Sequence, residues 1–276
     1  MNMRLGISCQ FEHASPEEWG RKHKEAGLGA VVFPLDWTAD VKKIDEYVLA
    51  AKENDLVIAE VGIWNNPLDP DSVKRKENRI RCVRQLELAE YIGAKCCVNI
   101  TGAKGEMWDG SYKENYDQKT FDEIVLYMQE ILDEVKPVRA KYTLETMPHA
   151  LPDSPESYLD FIKAINRPSL GVHMDIVNML ISPRVYYNNR MLIKNTFDLL
   201  GDKILSCHVK DATLDHDLTV SIRETEPGTG GVDLEYYIEQ AEKYDIDMPM
   251  IIEHLESMDQ YLRAIEYMKG LKGSKG

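Results

Sequence analysis

The stretch MRLGISCQFEHASPEE, Met3 to Glu18, decides between two folds that both start with a strand and a helix. Met3 to Ser8 is a short run of strand type. Ser15 then stands where a helix N-cap belongs, with Pro16 at the first helical position and Glu18 at the third. Its hydroxyl can accept one of the N–H groups that a helix start leaves unpartnered. Open doubly wound sheets and closed (β/α)8 barrels both contain such units. The open sheet usually carries a glycine-rich phosphate turn after its first strand. The connection SCQFEHA contains no glycine, which favours the barrel.

The same unit recurs along the chain. Strand-type runs stand at GAVVFP (29–34), LVIAEVG (56–62), CCVNITG (96–102), YTLETM (142–147), LGVHMDI (170–176), ILSCHVK (204–210) and PMIIEHL (249–255). Between them lie longer stretches with helical spacing. A second Ser-Pro start falls at Ser154, and a broad apolar stripe through Ile80, Val83, Leu86 and Leu88 to Ile92 ends at Gly93. Eight strand–helix units in 276 residues predict an α/β chain forming a single (β/α)8 TIM barrel. The barrel is expected over residues 1–270, and residues 271–276 are expected to form a flexible C-terminal tail.

Composition excludes several classes. The formal net charge is −14, whereas a nucleic-acid binder needs a basic face. The longest apolar runs, DLVIAEVGIW and MPMIIEHL, fall far short of the ~20 residues that span a bilayer. The start MNMRLGISC enters a strand without a charged-then-apolar signal pattern. The five cysteines show no metal-type spacing and read as buried free thiols in a reducing cytoplasm. The expected location is therefore cytoplasmic, without a membrane or nucleic-acid partner.

Active sites of such barrels are built where the strands end. The last four strands end at Glu145, Asp175, His208 and Glu253. Residues i and i+2 share a strand face. Ser206, His208 and Lys210 therefore point together, as do Ile251 and Glu253, with Ile252 and His254 facing away. Three carboxylates and an imidazole gathered in one place are costly to keep ionised. A divalent cation resolves that cost. Oxygen-rich ligation with one nitrogen suits Mn²⁺ first, with Mg²⁺ or Co²⁺ as alternatives.

Other residues fall near the same rim. His149 follows a proline beside Glu145. Lys210 shares the face of His208 and could hold a substrate hydroxyl or balance the carboxylates. Trp64 and Trp108 follow strands three and four, where they stack on a bound ligand or pack at the rim. His13 follows strand one, as a mouth-lining or a surface-loop residue. His173 shares a face with Asp175 one layer deeper, where it contacts substrate or serves as a hydrogen-bonded barrel residue. YYNNR (186–190) is read as a lid or subunit contact. PGTGG (227–231) lacks the lysine of a phosphate loop.

The pieces TLETMP, GVHMDIVNM, CHVKDA, EPGTGGVDLEYYI and MIIEHL resemble the xylose-isomerase-like barrels. That group includes tagatose and psicose epimerases, inositol-catabolism enzymes and apurinic-site endonucleases. The resemblance implies metal ligation by Glu145, Asp175, His208 and Glu253. It also implies that Glu145 and Glu253 are acid and base in proton transfer next to a sugar carbonyl. Two positions depart from the epimerases. Asn178 stands where they carry histidine, and Lys210, Asp211 and His216 stand where they carry arginine, so Asn178 and Lys210 are expected in substrate recognition. The extra histidines of the DNA-repair branch are missing from VGIWNNP and VNITGAK. A second branch, the C-glycoside-cleaving lyases, pairs a similar barrel with a small β-sandwich partner and implies His149 as a base on 3-keto glycosides. The resemblance thus implies a carbohydrate substrate. It implies a homo-oligomer for the isomerase or epimerase, and a hetero-oligomer with a small β-rich subunit for the lyase.

Overall fold

The computed structural model describes residues 3–273. Eight parallel strands form the barrel: β1 (Arg4–Ile7), β2 (Ala30–Val32), β3 (Val57–Gly62), β4 (Cys96–Asn99), β5 (Lys141–Glu145), β6 (Leu170–Asp175), β7 (Ile204–Val209) and, after an inserted hairpin, β10 (Pro249–Ile252). Their order around the sheet is β1-β10-β7-β6-β5-β4-β3-β2. At the β1/β2 seam the Gly29 N–H donates to the Leu5 carbonyl at 2.9 Å. The chain is a single (β/α)8 barrel.

Outside lie α1 (Pro16–Glu25), α2 (Val41–Glu53), α3 (Ser72–Ile92), α4 (Gln118–Val135), α5 (Pro155–Ile165), α6 (Pro183–Tyr187), α7 (Asn189–Leu200), α8 (Leu234–Tyr244) and α9 (Met258–Gly273). The start signals act as their chemistry requires. The Ser15 hydroxyl accepts from the Glu18 N–H, and Ser154 forms a reciprocal capping box with Ser157. Gly93 closes α3 with φ 72°. Ile80, assigned to the apolar stripe of α3, is instead 49% exposed. At the expected C-terminal tail, 271–276, α9 continues through Gly273, and residues 274–276 lie outside the described residues. Among the described residues no helix is long and apolar enough to cross a membrane.

Two apolar regions result. The larger lies between sheet and helices. A small one, Ala30, Ala59 and Ile251, fills the barrel itself. Gly6 makes this possible, because a Cβ there would stand 2.5 Å from Ile251 Cδ1. A bulge in β3 pairs Val31 with Ile58 but Val32 with Glu60, so Ala59 is an extra residue. Ala59 and Glu60 thereby both face inward. Pairing then sets two rows across the strands: Glu145, His173 and Ser206 in one, and Asp175, His208, Ile251 and Gly6 in the other.

The hairpin of β8 (Asp211–Leu214) and β9 (Ile222–Thr225) was not legible in the sequence. It is built on Asp211, whose carboxylate accepts the N–H groups of Ala212, Gly228, Gly230 and Val232 at 2.8–3.0 Å. Within PGTGG the Gly228 and Gly230 N–H groups go to Asp211, while those of Thr229 and Gly231 go to the Glu226 and Ala212 carbonyls. Gly230 is required there, since a Cβ would stand 2.3 Å from both Asp211 Oδ1 and the Ala212 carbonyl. YYNNR, read above as a lid or subunit contact, braces the same base. Tyr186 donates to the Ala212 carbonyl, and the Asn189 amide donates to the carbonyls of Tyr186 and Gly231.

Candidate metal centre and active site

Glu145 and Asp175 are the last residues of β5 and β6. His208 is next to last in β7, and Glu253 follows β10. All four are buried. One ligand atom from each lies within 4.8 Å of the others. His208 Nδ1 is the focus, standing 3.0 Å from Glu145 Oε1, 2.9 Å from Glu253 Oε1 and 3.8 Å from Asp175 Oδ2.

The surroundings fix these atoms. Asp175 Oδ1 accepts the N–H groups of Val177 and Asn178, so the other oxygen, Oδ2, turns toward the centre. The Thr146 hydroxyl donates to the Asp175 carbonyl and ties the ends of β5 and β6. Asn178 donates through its amide to Glu145 Oε1 at 3.2 Å and accepts from Lys210 at 3.1 Å. Asp175 Oδ2 and Glu253 Oε1 are buried and accept no hydrogen bond. The Lys210 ammonium forms ion pairs with both, at 2.7 and 3.0 Å. Two buried carboxylate oxygens without hydrogen bonds, beside an imidazole nitrogen and a third carboxylate, are the donor set that a hard divalent cation takes.

The charges respond to one another. Burial raises the Asp175 carboxyl to about 6, with Lys210 opposing and Glu145 and Glu253 adding to the rise. Burial disfavours the charged forms of His208 and Lys210, but the surrounding carboxylates outweigh it and raise both well above their ordinary values. Glu253 is held low against its burial, chiefly by His208 and Lys210.

A cavity of about 500 Å³ opens over the cluster, with Glu145, His208 and Glu253 at its floor. Trp64, Trp108, His149 and Asn178 line it. Trp64 leans over the His208 ring, centroids 6.3 Å apart and planes 29° apart. It does so with φ 49° and over Gly62, where a Cβ would stand 2.2 Å from the indole nitrogen. His149 is exposed on the rim. Lys210 lies between Asp175 and a neighbouring depression of about 400 Å³ that it shares with Glu224, Glu253 and His254.

Two expected contacts lie elsewhere. His173 is fully buried beneath the centre, bonded to Glu60 at 2.9 Å, which is the barrel-residue reading. His13 bridges the Phe11 carbonyl and the Tyr47 hydroxyl, each at 2.7 Å, and is not among the residues lining the cavity. Three further residues join the site. Glu60 enters on the β3 bulge, and its signal was a carboxylate inside an apolar run. Glu224, on β9, bonds Lys210 and His254, each at 2.8 Å; the polar segment around it gave no signal. Burial alone would raise Glu224, but His254 and Lys210 lower it to about 2. His254 was expected to face away from the mouth. The strand has already ended at Ile252, and φ 59° at His254 turns its ring back onto Glu224.

A profile of the xylose isomerase-like TIM-barrel family matches residues 21–271. No curated protein matches the sequence. Solved structures match the fold over nearly the whole chain. A 3-keto-D-glucoside 4-epimerase from E. coli is 18% identical with TM-score 0.71, covering 98% of this chain and 99% of its own. A D-tagatose 3-epimerase-like protein is 19% identical with TM-score 0.72, covering 99% and 98%. A xylose isomerase-like barrel protein from Mycobacterium smegmatis, solved in complex with magnesium, is 16% identical with TM-score 0.67, covering 98% and 95%.

Proposed function

Because this chain belongs to the xylose isomerase-like TIM-barrel family, we propose that it is a divalent-metal-dependent isomerase or epimerase of keto-sugars. The observation that carries this reading is the convergence of Glu145, Asp175, His208 and Glu253, with two buried oxygens left without hydrogen bonds, where Glu145, His208 and Glu253 line a cavity of about 500 Å³. The names of the epimerases similar in fold support the substrate class.

The four residues would hold one ion, with Mn²⁺ the first candidate. Bound there, it supplies Lewis-acid stabilisation of the negative charge that builds on a carbonyl oxygen during proton transfer. The chain does the rest. Glu145 and Glu253 border the cavity, and a carboxylate within hydrogen-bond reach of a substrate C–H can remove its proton and return it. Glu253 stands 3.0 Å from the Lys210 ammonium, which favours its ionised, proton-accepting form. Asn178 and Lys210 fix the orientation of Glu145 and Glu253 and offer hydrogen-bonding groups to substrate hydroxyls. Trp64 and Trp108 supply apolar faces for a sugar ring and reduce the water around the reacting carbon.

The test is incubation of the Mn²⁺-reconstituted protein in D₂O with a panel of free ketoses and 3-keto C- and O-glycosides, read by NMR. Deuterium at the carbon next to a ketose carbonyl supports the proposal. Release of an aglycone points to elimination instead, and absence of both across the panel rules the reading out.

A further inference from the structure

Glu60 is 1% exposed at the centre of the barrel, a costly place for a carboxylate without a purpose. Its two oxygens are used differently. Oε1 accepts from His173 Nε2 at 2.9 Å and from the Ser206 hydroxyl. Oε2 faces His208 Nε2 at 3.6 Å. The His208 ring thus stands between two acidic groups. Its Nδ1 points up at Glu145, Asp175 and Glu253, and its Nε2 points down at Glu60. The ring is further held by His173, edge to face at 4.1 Å.

A neutral imidazole carries one lone pair and one N–H, and the hydrogen bond at one nitrogen decides which atom is free to ligate. An ionised carboxylate only accepts. We propose that Glu60 is a positioning residue for the metal centre. Across the 3.6 Å gap its negative charge favours the proton on His208 Nε2 and so leaves the Nδ1 lone pair to the cation. Ser206 and His173 hold Oε1, which leaves Oε2 on the side of His208 and the cavity. The β3 bulge exists in this account to bring Glu60 beneath the centre. The inference rests on the reading of His208 as a metal ligand through Nδ1, and it adds a function for a residue four strands away in the barrel order.

Two measurements test it. In the first, the wild-type protein is loaded with Mg²⁺, which is diamagnetic, and long-range ¹H–¹⁵N spectra report the proton on His208. The expected result is a proton on Nε2; a proton on Nδ1 overturns the proposal. In the second, Mn²⁺ affinity is measured by calorimetry for wild type and Glu60→Gln, beside the melting temperature of each metal-free protein. An amide in place of the carboxylate can present N–H to Nε2 and force the opposite tautomer. The expected result is affinity weaker by roughly 10- to 100-fold in a protein that still melts cooperatively. Unchanged affinity in the folded variant overturns the proposal and leaves the metal centre standing. If Glu60→Gln does not fold, the affinity measurement is made on Glu60→Asp, whose shorter side chain withdraws the carboxylate from Nε2, with the same expected and overturning results. If the wild type binds neither Mg²⁺ nor Mn²⁺, the metal centre itself is wrong, and the role of Glu60 falls with it.

Discussion

His208 Nδ1 lies 2.9 Å from Glu253 Oε1, yet that oxygen accepts no hydrogen bond. The hydrogen bond from this nitrogen goes to Glu145 at 3.0 Å. A nitrogen has one position for a proton, and three carboxylates converge on it. A cation in place of that proton can be shared by all of them, which is why this contact is central to the site.

Glu253→Gln keeps the shape of the side chain and removes its basicity. Turnover on the responsive ketose should fall by roughly 10²- to 10⁴-fold, with substrate binding less affected. Steady-state kinetics check this, and a near-wild-type kcat would remove Glu253 from the proton-transfer role.

Asp175 gives a signed pH prediction for the metal-free protein. Its folded-state carboxyl is raised from 3.8 to about 6, so between those values the folded chain binds more protons than the unfolded one. The stability from this group is fully present below pH 3.8 and is lost as pH rises through 6. Asp175→Asn removes that loss. With chelator present, the variant should be more stable than wild type at pH 7.5, by ~2–3 kcal/mol, and the difference should shrink toward pH 4. Thermal melts across that range test it; parallel pH profiles for the two proteins would show that Asp175 is not so shifted.

Asp211 holds four backbone N–H groups at the base of the β8/β9 hairpin. Asp211→Ala strands those donors and should cost at least ~3 kcal/mol. Amides 212–232 should lose exchange protection before the barrel does, because Glu224 reaches Lys210 only while the hairpin is docked. Uniform loss of protection across the whole chain would instead make Asp211 a global rather than a local support.

Gly62→Ala introduces a Cβ into the space of the Trp64 indole. The ring must shift off the cavity wall, so KM should rise several-fold with kcat less changed. Equal falls in kcat and kcat/KM would place Trp64 in the chemistry rather than in binding.

The barrel was legible because eight short strands alternate with helices whose caps are written in Ser-Pro and glycine. The four strand-end residues were legible because charges at the ends of apolar runs stand out. The β8/β9 hairpin was not, because Ile222–Thr225 is polar and partly exposed and has no apolar run to mark it. Strict alternation placed His254 on the wrong side, since a left-handed φ just past a strand end resets where side chains point. Glu60 went unremarked although its charge sits in an apolar strand. Its partners, His173, Ser206 and His208, lie more than a hundred residues away and meet it only when the barrel closes.

The most direct measurement of the central claim is a calorimetric titration of metal-free protein with Mn²⁺, repeated on the Glu145→Gln, Asp175→Asn double variant. The account predicts one ion per wild-type chain and loss of that binding in a double variant that remains folded. Binding that survives the double substitution, or a wild-type chain that takes up no ion, would contradict it.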